Sequence, residues 1–177
     1  MVRQTLSEQQ TATIYQYKLI RKISIRLELV HSHVFIAAVL LAVLTAVYRL
    51  DGLLGWLFGF IIVQLVHITL LLLTFIRVEE AAERRWQWRI MPPWFGFGPA
   101  NDITLRLYRK VHRTMLWVGL CLIGLLYPWV NEAIIIGCIS WHLWLLVPRM
   151  LLSFGLRSEA RDGIVRLGAL EAYYYHR

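Results

Sequence analysis

Long apolar stretches separated by charged segments occupy most of the chain. The longest stretch, residues 53–76, contains 24 residues and no formally charged side chain. A helix of that length reaches about 36 Å at 1.5 Å per residue, whereas the hydrocarbon core of a bilayer is roughly 30 Å thick. We therefore interpret this stretch as a transmembrane helix. With the other apolar stretches it predicts four transmembrane helices, which cover residues 31–50, 53–76, 114–130 and 133–152.

The connections within each half of the chain are short. Arg49, Asp51 and Gly52 form a tight turn between the first two predicted helices, and Asn131 and Glu132 form another between the last two. A short connection places consecutive helices side by side and antiparallel. The sequence thus predicts an all-α polytopic membrane protein with two antiparallel hairpins, which form a single membrane domain over the whole of the 177 residues.

The N-terminal segment, residues 14–30, shows two competing patterns. Ile20, Ile23 and Leu27 follow helical spacing, but residues 22–29 also alternate between polar and apolar as a half-buried strand does. A lone strand beside a membrane would leave its backbone groups without hydrogen-bond partners. We therefore predict an interfacial amphipathic helix on the cytoplasmic side for this segment.

The loop between the two hairpins, residues 77–113, is rich in basic residues. Its first part continues the charged helical pattern into water, and residues 91–100, with three prolines and two glycines, interrupt that pattern. Asn101 or Asp102 is then a suitable cap for the next helix. We expect a cytoplasmic helical loop that leads into the third transmembrane helix.

The C-terminal tail, residues 156–177, has apolar residues at helical spacing, among them Ile164 and Leu167. Gly163 and Gly168 weaken that helical pattern, because glycine lowers helix stability. The spacing nevertheless predicts one more amphipathic cytoplasmic helix.

Composition and charge agree with a membrane protein. Hydrophobic residues make up 58 % of the chain, and the mean hydropathy is +0.55. The net charge of +8 is unevenly distributed, since eighteen of the nineteen Lys and Arg residues lie in the N-terminal segment, in the loop and from Arg149 onward. Only Arg49 lies in a turn on the other side. The positive-inside rule then predicts a multi-pass protein with both termini in the cytoplasm, of the kind found in a bacterial inner membrane, and argues against nucleic-acid binding.

The second predicted helix contains Gly55 and Gly59, two small residues four positions apart. Such a pair lets the backbone of a neighbouring membrane helix approach closely. The pair also occurs by chance in apolar segments, so it identifies no particular neighbour.

Histidines are the main candidates for chemistry inside the membrane. His67 and His142 lie well within their predicted helices at similar depth, and Gln64 is one helical turn from His67. A neutral imidazole hydrogen-bonded to a neighbouring helix is the simpler interpretation. The alternative is axial ligation of haem b by this pair, and His31 or His33 with His112, on the other diagonal of the bundle, could hold a second group at the membrane edge.

The sequence lacks the phosphate-binding, zinc-protease and serine-hydrolase motifs and has no pair of membrane-embedded carboxylates. Cys121 and Cys138 have no metal-type spacing. We therefore predict a protein that is not an enzyme and that binds no metal. Proton or metal transport and a small channel are further alternatives, for which the charged residues and broken helices of a permeation path are missing.

The predicted function is that of a non-catalytic membrane subunit, an anchor or scaffold of a larger complex. The alternative is a b-type haem electron-transfer anchor. The expected partners are other membrane protein subunits, as a homo- or hetero-oligomer, and anionic lipids. The residues predicted to contact them are Ile20, Ile23, Leu27, Trp86, Trp88, Trp94, Ile164 and Leu167.

Overall fold

The computed structural model describes residues 18–76, 78, 84–160 and 162–176. Helices dominate this part of the chain, and three of them are long and apolar enough to cross a membrane: Leu27–Tyr48, Leu50–Phe75 and Glu132–Gly155. These three helices confirm the prediction of a mostly helical membrane protein, but the structure also contains strands. The helices of the described residues are α1 (Leu27–Tyr48), α2 (Leu50–Phe75), α3 (Leu105–Leu125) and α4 (Glu132–Gly155).

The strands of the described residues form two small antiparallel sheets. The strands are β1 (Lys18–Ser24), β2 (Trp86–Arg89), β3 (Gly96–Pro99), β4 (Ile103–Thr104), β5 (Ile164–Leu167) and β6 (Glu171–His176). One sheet has four strands in the order β1-β6-β5-β4, and the other is the β2–β3 hairpin. The all-α prediction is therefore wrong for the segments outside the long helices.

The N-terminal segment forms strand β1 where an amphipathic helix was predicted, and residues 14–17 of that segment lie outside the described residues. The strand was rejected for lack of a hydrogen-bonding partner, but β1 pairs with β6, from Lys18 opposite His176 to Ser24 opposite Glu171. Lys22 Nζ lies 2.6 Å from the Glu171 carboxylate across this pair, and its hydrogen bond lowers the pKa of Glu171. Helix α1 begins only at Leu27.

The C-terminal tail forms the β5–β6 hairpin, so the prediction of a helix there is wrong too. Isoleucine, valine and tyrosine favour strands, and residues 164–165 and 173–175 are of these types. The Gly168 N–H donates to the Glu171 carbonyl at 2.8 Å and closes the turn. Gly163 and Gly168, which weakened the helical pattern, lie immediately before and after β5.

The loop between the hairpins also differs from its prediction. Its charged start lies largely outside the described residues, and residues 86–89 form strand β2 where a helix was expected to continue. Thr104 caps α3, since its hydroxyl accepts from the Leu107 N–H at 3.4 Å. Asp102, one of the two predicted caps, accepts two hydrogen bonds from Arg166 of β5, the shorter at 2.6 Å. Helix α3 thus includes both the basic segment and most of the predicted third span.

Contacts between helices show how the chain runs. Gly55 and Gly59 of α2 lie against residues 133 and 137 of α4 in the same order, so α2 and α4 are parallel. Tyr108 contacts residue 149 of α4, and Gly119 contacts residue 142, so α3 runs antiparallel to α4. The start of α1, the end of α2, the start of α3 and the end of α4 therefore share one end of the bundle, where the sheets lie.

Helices α2 and α4 meet at small residues. A Cβ atom added to Gly55 would lie 2.5 Å from the Ala133 carbonyl oxygen, and one added to Gly59 would lie 2.7 Å from the Gly137 carbonyl carbon. The two backbones approach this closely only because the side chains are missing at Gly55, Gly59 and Gly137. The small-residue pair noted in the sequence is thus the site of a close helix crossing.

Pro148 does not end α4, which continues to Gly155. Two arginines hold the end of α4, since Arg109 of α3 and Arg21 of β1 donate hydrogen bonds to the carbonyls of Leu156 and Gly155. These bonds fix the end of the helix beyond the proline.

Candidate functional site

His67 and His142 contact each other inside the bundle. His67 Nε2 lies 3.0 Å from His142 Nδ1, and both side chains are buried. The Leu116 carbonyl of α3 accepts a hydrogen bond from His142 Nε2 at 3.2 Å, so that nitrogen carries the proton. A neutral His142 then accepts at Nδ1, and His67 donates from Nε2. The pair is a hydrogen-bonded chain that joins α2, α4 and α3.

This arrangement does not fit a haem between the two rings. Two axial imidazoles would place their nitrogens about 4 Å apart on opposite faces of the porphyrin, given metal–nitrogen bonds of about 2 Å. The nitrogens of His67 and His142 are 3.0 Å apart, and the ring of His142 also lies directly against Gly119 of α3. The two histidines lie at similar depth, as expected, but their rings are in contact and leave no space for a cofactor.

The other two histidines of the haem alternative do not form a matching pair. His112 of α3 is completely buried, and its Nδ1 donates to the Tyr108 carbonyl at 2.8 Å. Its ring packs against Tyr108 and Trp86. His31 of α1 is exposed.

Arg149 is a buried cation that sequence reasoning placed at the membrane edge. Its side chain is 2 % exposed, and Nη2 donates to the carbonyls of Phe95 at 2.9 Å and Trp94 at 3.5 Å. The Tyr108 hydroxyl donates to the carbonyl of Arg149 at 3.5 Å. Arg149 is absent from the three ion pairs that occur among the described residues. Backbone carbonyls of the turn between β2 and β3 therefore stabilise its charge.

Gln64 lies beside Arg149 near the same turn. Gly96, at φ +93°, has the Arg149 guanidinium and the Gln64 side-chain oxygen next to its Cα, and this φ favours glycine. His67 bonds to His142 and not to Gln64 one turn away, and the Gln64 amide makes no hydrogen bond within the described part of the chain. We call Gln64, His67, His112, His142 and Arg149 the polar cluster.

The polar cluster is compact. His112 and Arg149 each lie close enough to His67 to interact with it electrostatically. Within the described ranges, no three His, Cys, Asp or Glu side chains are placed to hold a metal ion. His67, His142 and Arg149 make hydrogen bonds between separate elements, as polar side chains between membrane helices commonly do.

The residues predicted as partner contacts fall into three groups. Ile20, Leu27 and Trp88 are exposed, whereas Ile23, Trp86 and Ile164 are partly buried against the chain itself. Trp94 and Leu167 belong to the core, with exposed fractions of 2 % and 7 %. Trp94 forms part of the turn that binds Arg149, and Leu167 lies in β5 between two other strands.

Comparison of the chain with protein-family models, with curated proteins and with solved structures finds no match in any of the three.

Proposed function

We propose that this chain is a non-catalytic integral membrane subunit that serves as an anchor or scaffold in a larger assembly. The polar cluster supports the proposal because its hydrogen bonds join separate elements of the fold. His67 and His142 connect α2 with α4, His142 connects α4 with α3, and Arg149 connects α4 with the β2–β3 hairpin. Bonds of this kind make the helices and the sheets into one stable body.

We further propose that all four helices cross the membrane, with the sheets and both termini in the cytoplasm. Helix α3 runs beside α4 in the opposite direction, and its 21 residues reach about 31 Å at 1.5 Å per residue. Its basic residues lie in the half that adjoins the sheets, the side on which Lys and Arg are expected. The bias of Lys and Arg toward the sheet end supports the orientation.

The observation that carries the scaffold proposal is the outer face of α1. Only Val30 and Leu44 of this helix are buried in the chain. Ala38, Ala42 and Ala46 are all exposed and repeat every four residues on the side opposite Leu44. Small residues at this spacing are typical of contacts between membrane helices, since they let two backbones approach. We infer that this face binds a membrane helix of another subunit, either a second copy or a different chain.

Photocrosslinking from α1 tests this inference. A photoreactive amino acid replaces Ala42, and the same group replaces Val43 in the matched control. Val43 is also exposed, but it lies about 100° further around the helix. We expect position 42 to give a protein adduct in native membranes several times more efficiently than position 43. The mass of the adduct distinguishes a second copy from a different subunit.

Equal crosslinking from the two positions, or adducts to lipid alone from position 42, would contradict the scaffold proposal. Ala42→Ile provides an independent check, because a branched side chain on this face separates the backbones. It should abolish the crosslink from a photoreactive group at Ala38 and leave the thermal stability of the isolated chain unchanged.

A further inference from the structure

An apolar groove of about 430 Å³ lies between α1 and α4, next to strand β1. Its volume lies within the range of small-molecule sites. Pro93 and Trp94 close one side of it, and side chains of β1 close the end nearest the sheet. Its apolar wall residues include Ile23, Leu29, Ile36, Val147, Leu151 and Leu152.

The groove lies at the depth of a single leaflet. Along α4 it extends from Gly155 to Val147, about 12 Å at 1.5 Å per residue, and along α1 from Leu29 to Ile36, about 10 Å. Half of the hydrocarbon core is about 15 Å thick. Leu29 is 61 % exposed and Leu151 is 65 % exposed, so the groove opens sideways toward the bilayer. With the helices across the membrane as proposed above, it adjoins lipid tails along its length.

The end of the groove nearest the sheet is basic. Arg21 lies in its wall, where Nη1 donates to the Gly155 carbonyl at 3.0 Å and lies 3.5 Å from the Glu159 carboxylate. About half of the Arg21 side chain stays exposed. Residues 18–28 carry four basic side chains and one acidic one, and Glu159 and Glu171 pair with Arg21 and Lys22, so this end keeps a net charge of about one positive unit. An apolar groove with a cationic end is complementary to an amphiphile with an anionic head.

We propose that this groove binds one acyl chain of an anionic phospholipid from the leaflet that adjoins the sheet, with Arg21 contacting the lipid phosphate. Ser32, His33 and Trp94 also line the groove, but most of its wall is apolar and would leave most hydrogen-bonding groups of a peptide or a polar metabolite unsatisfied. An acyl chain needs no such partners. Because lipid tails are as apolar as the groove, moving a chain into it gains little, and the headgroup must provide the selectivity. Arg21 therefore determines which lipid is retained.

Native mass spectrometry of the full chain in mild detergent tests this site. Phosphatidylglycerol and phosphatidylcholine with identical acyl chains are offered at equal concentration. We expect selective retention of one phosphatidylglycerol. Arg21→Gln should reduce that selectivity roughly fivefold, the effect of about 1 kcal/mol for one basic residue at an anionic headgroup. Arg21→Lys should keep most of it.

Two matched pairs of variants locate the bound lipid. Lys18→Gln removes a charge from the same strand outside the groove wall and should leave the selectivity unchanged. Leu151→Trp fills the groove from an exposed position and should abolish retention, whereas Leu143→Trp, elsewhere on α4, should not. Equal retention of the two lipids, equal losses for Arg21→Gln and Lys18→Gln, or retention in Leu151→Trp would each overturn the proposal. The test needs no partner subunit, so it is independent of the scaffold proposal.

Discussion

Gly137→Ala is expected to destabilise the protein by about 3 kcal/mol, at the upper end of the cost of overpacking a well-packed interior. The added methyl group would overlap the Gly55 carbonyl oxygen and lie 2.7 Å from its carbon. Both atoms belong to the backbone of α2, so no side chain can rotate away. The two helices must separate, and the separation weakens the contact between His67 and His142.

Gly124→Ala is the matched control for this variant. Gly124 lies in α3, and a Cβ atom there meets nothing within 4 Å. Alanine is the better helix former, so this control should be neutral or more stable by about 0.5–1 kcal/mol. Thermal unfolding in detergent measures both, with a decrease in Tm of roughly 6–12 °C expected for Gly137→Ala. Equal Tm values for the two variants would show that α2 and α4 do not cross at these residues.

Arg149→Ala is expected to cost about 3 kcal/mol and to release the turn between β2 and β3. Removal of the guanidinium leaves the Phe95 and Trp94 carbonyls without their donor, and each buried unsatisfied group costs about 1–3 kcal/mol. The smaller side chain also leaves a cavity. Loss of the buried charge offsets part of these costs.

Limited proteolysis of residues 84–100, together with thermal unfolding, measures the effect of Arg149→Ala. We expect faster cleavage in this variant, and partial protection in Arg149→Lys, which keeps the charge but lacks the fork of donors. Arg157→Ala is the matched control, because Arg157 lies just beyond α4 and is exposed. If Arg149→Ala and Arg157→Ala behaved alike, Arg149 would have no role in holding the turn.

The long helices could be predicted because the thickness of the bilayer requires an uninterrupted apolar length. The sequence could not show where the strands lie, since β1 pairs with β6 across most of the chain. Local spacing in residues 14–30 fits both a helix and a strand, and the choice depends on a partner that only the fold supplies. Tyr173 to Tyr175 favour a strand by type, and this signal in the tail was available from the sequence alone.

In the candidate site, too, part of the arrangement could be predicted from the sequence and part depends on the fold. Similar depths for His67 and His142 follow from counting residues along two parallel helices, and the structure brings the two rings together. Their direct hydrogen bond depends on the close approach at Gly55, Gly59 and Gly137, which sequence spacing indicated without naming the neighbouring helix. Arg149 was missed because an arginine near a helix end is usually interfacial. Burial of Arg149 depends on the turn at residues 94–96, which folds back over α4.

Cysteine labelling tests directly whether four helices cross the membrane with the sheets on one side, as the proposed function requires. Single cysteines replace Leu50, Asn131 and Ala169 in a background that carries Cys121→Ala and Cys138→Ala. All three positions are exposed. If the sheets lie in the cytoplasm, a membrane-impermeant maleimide labels Leu50→Cys and Asn131→Cys in intact cells, and labels Ala169→Cys only after permeabilisation. Labelling of Asn131→Cys and Ala169→Cys from the same side would contradict this topology.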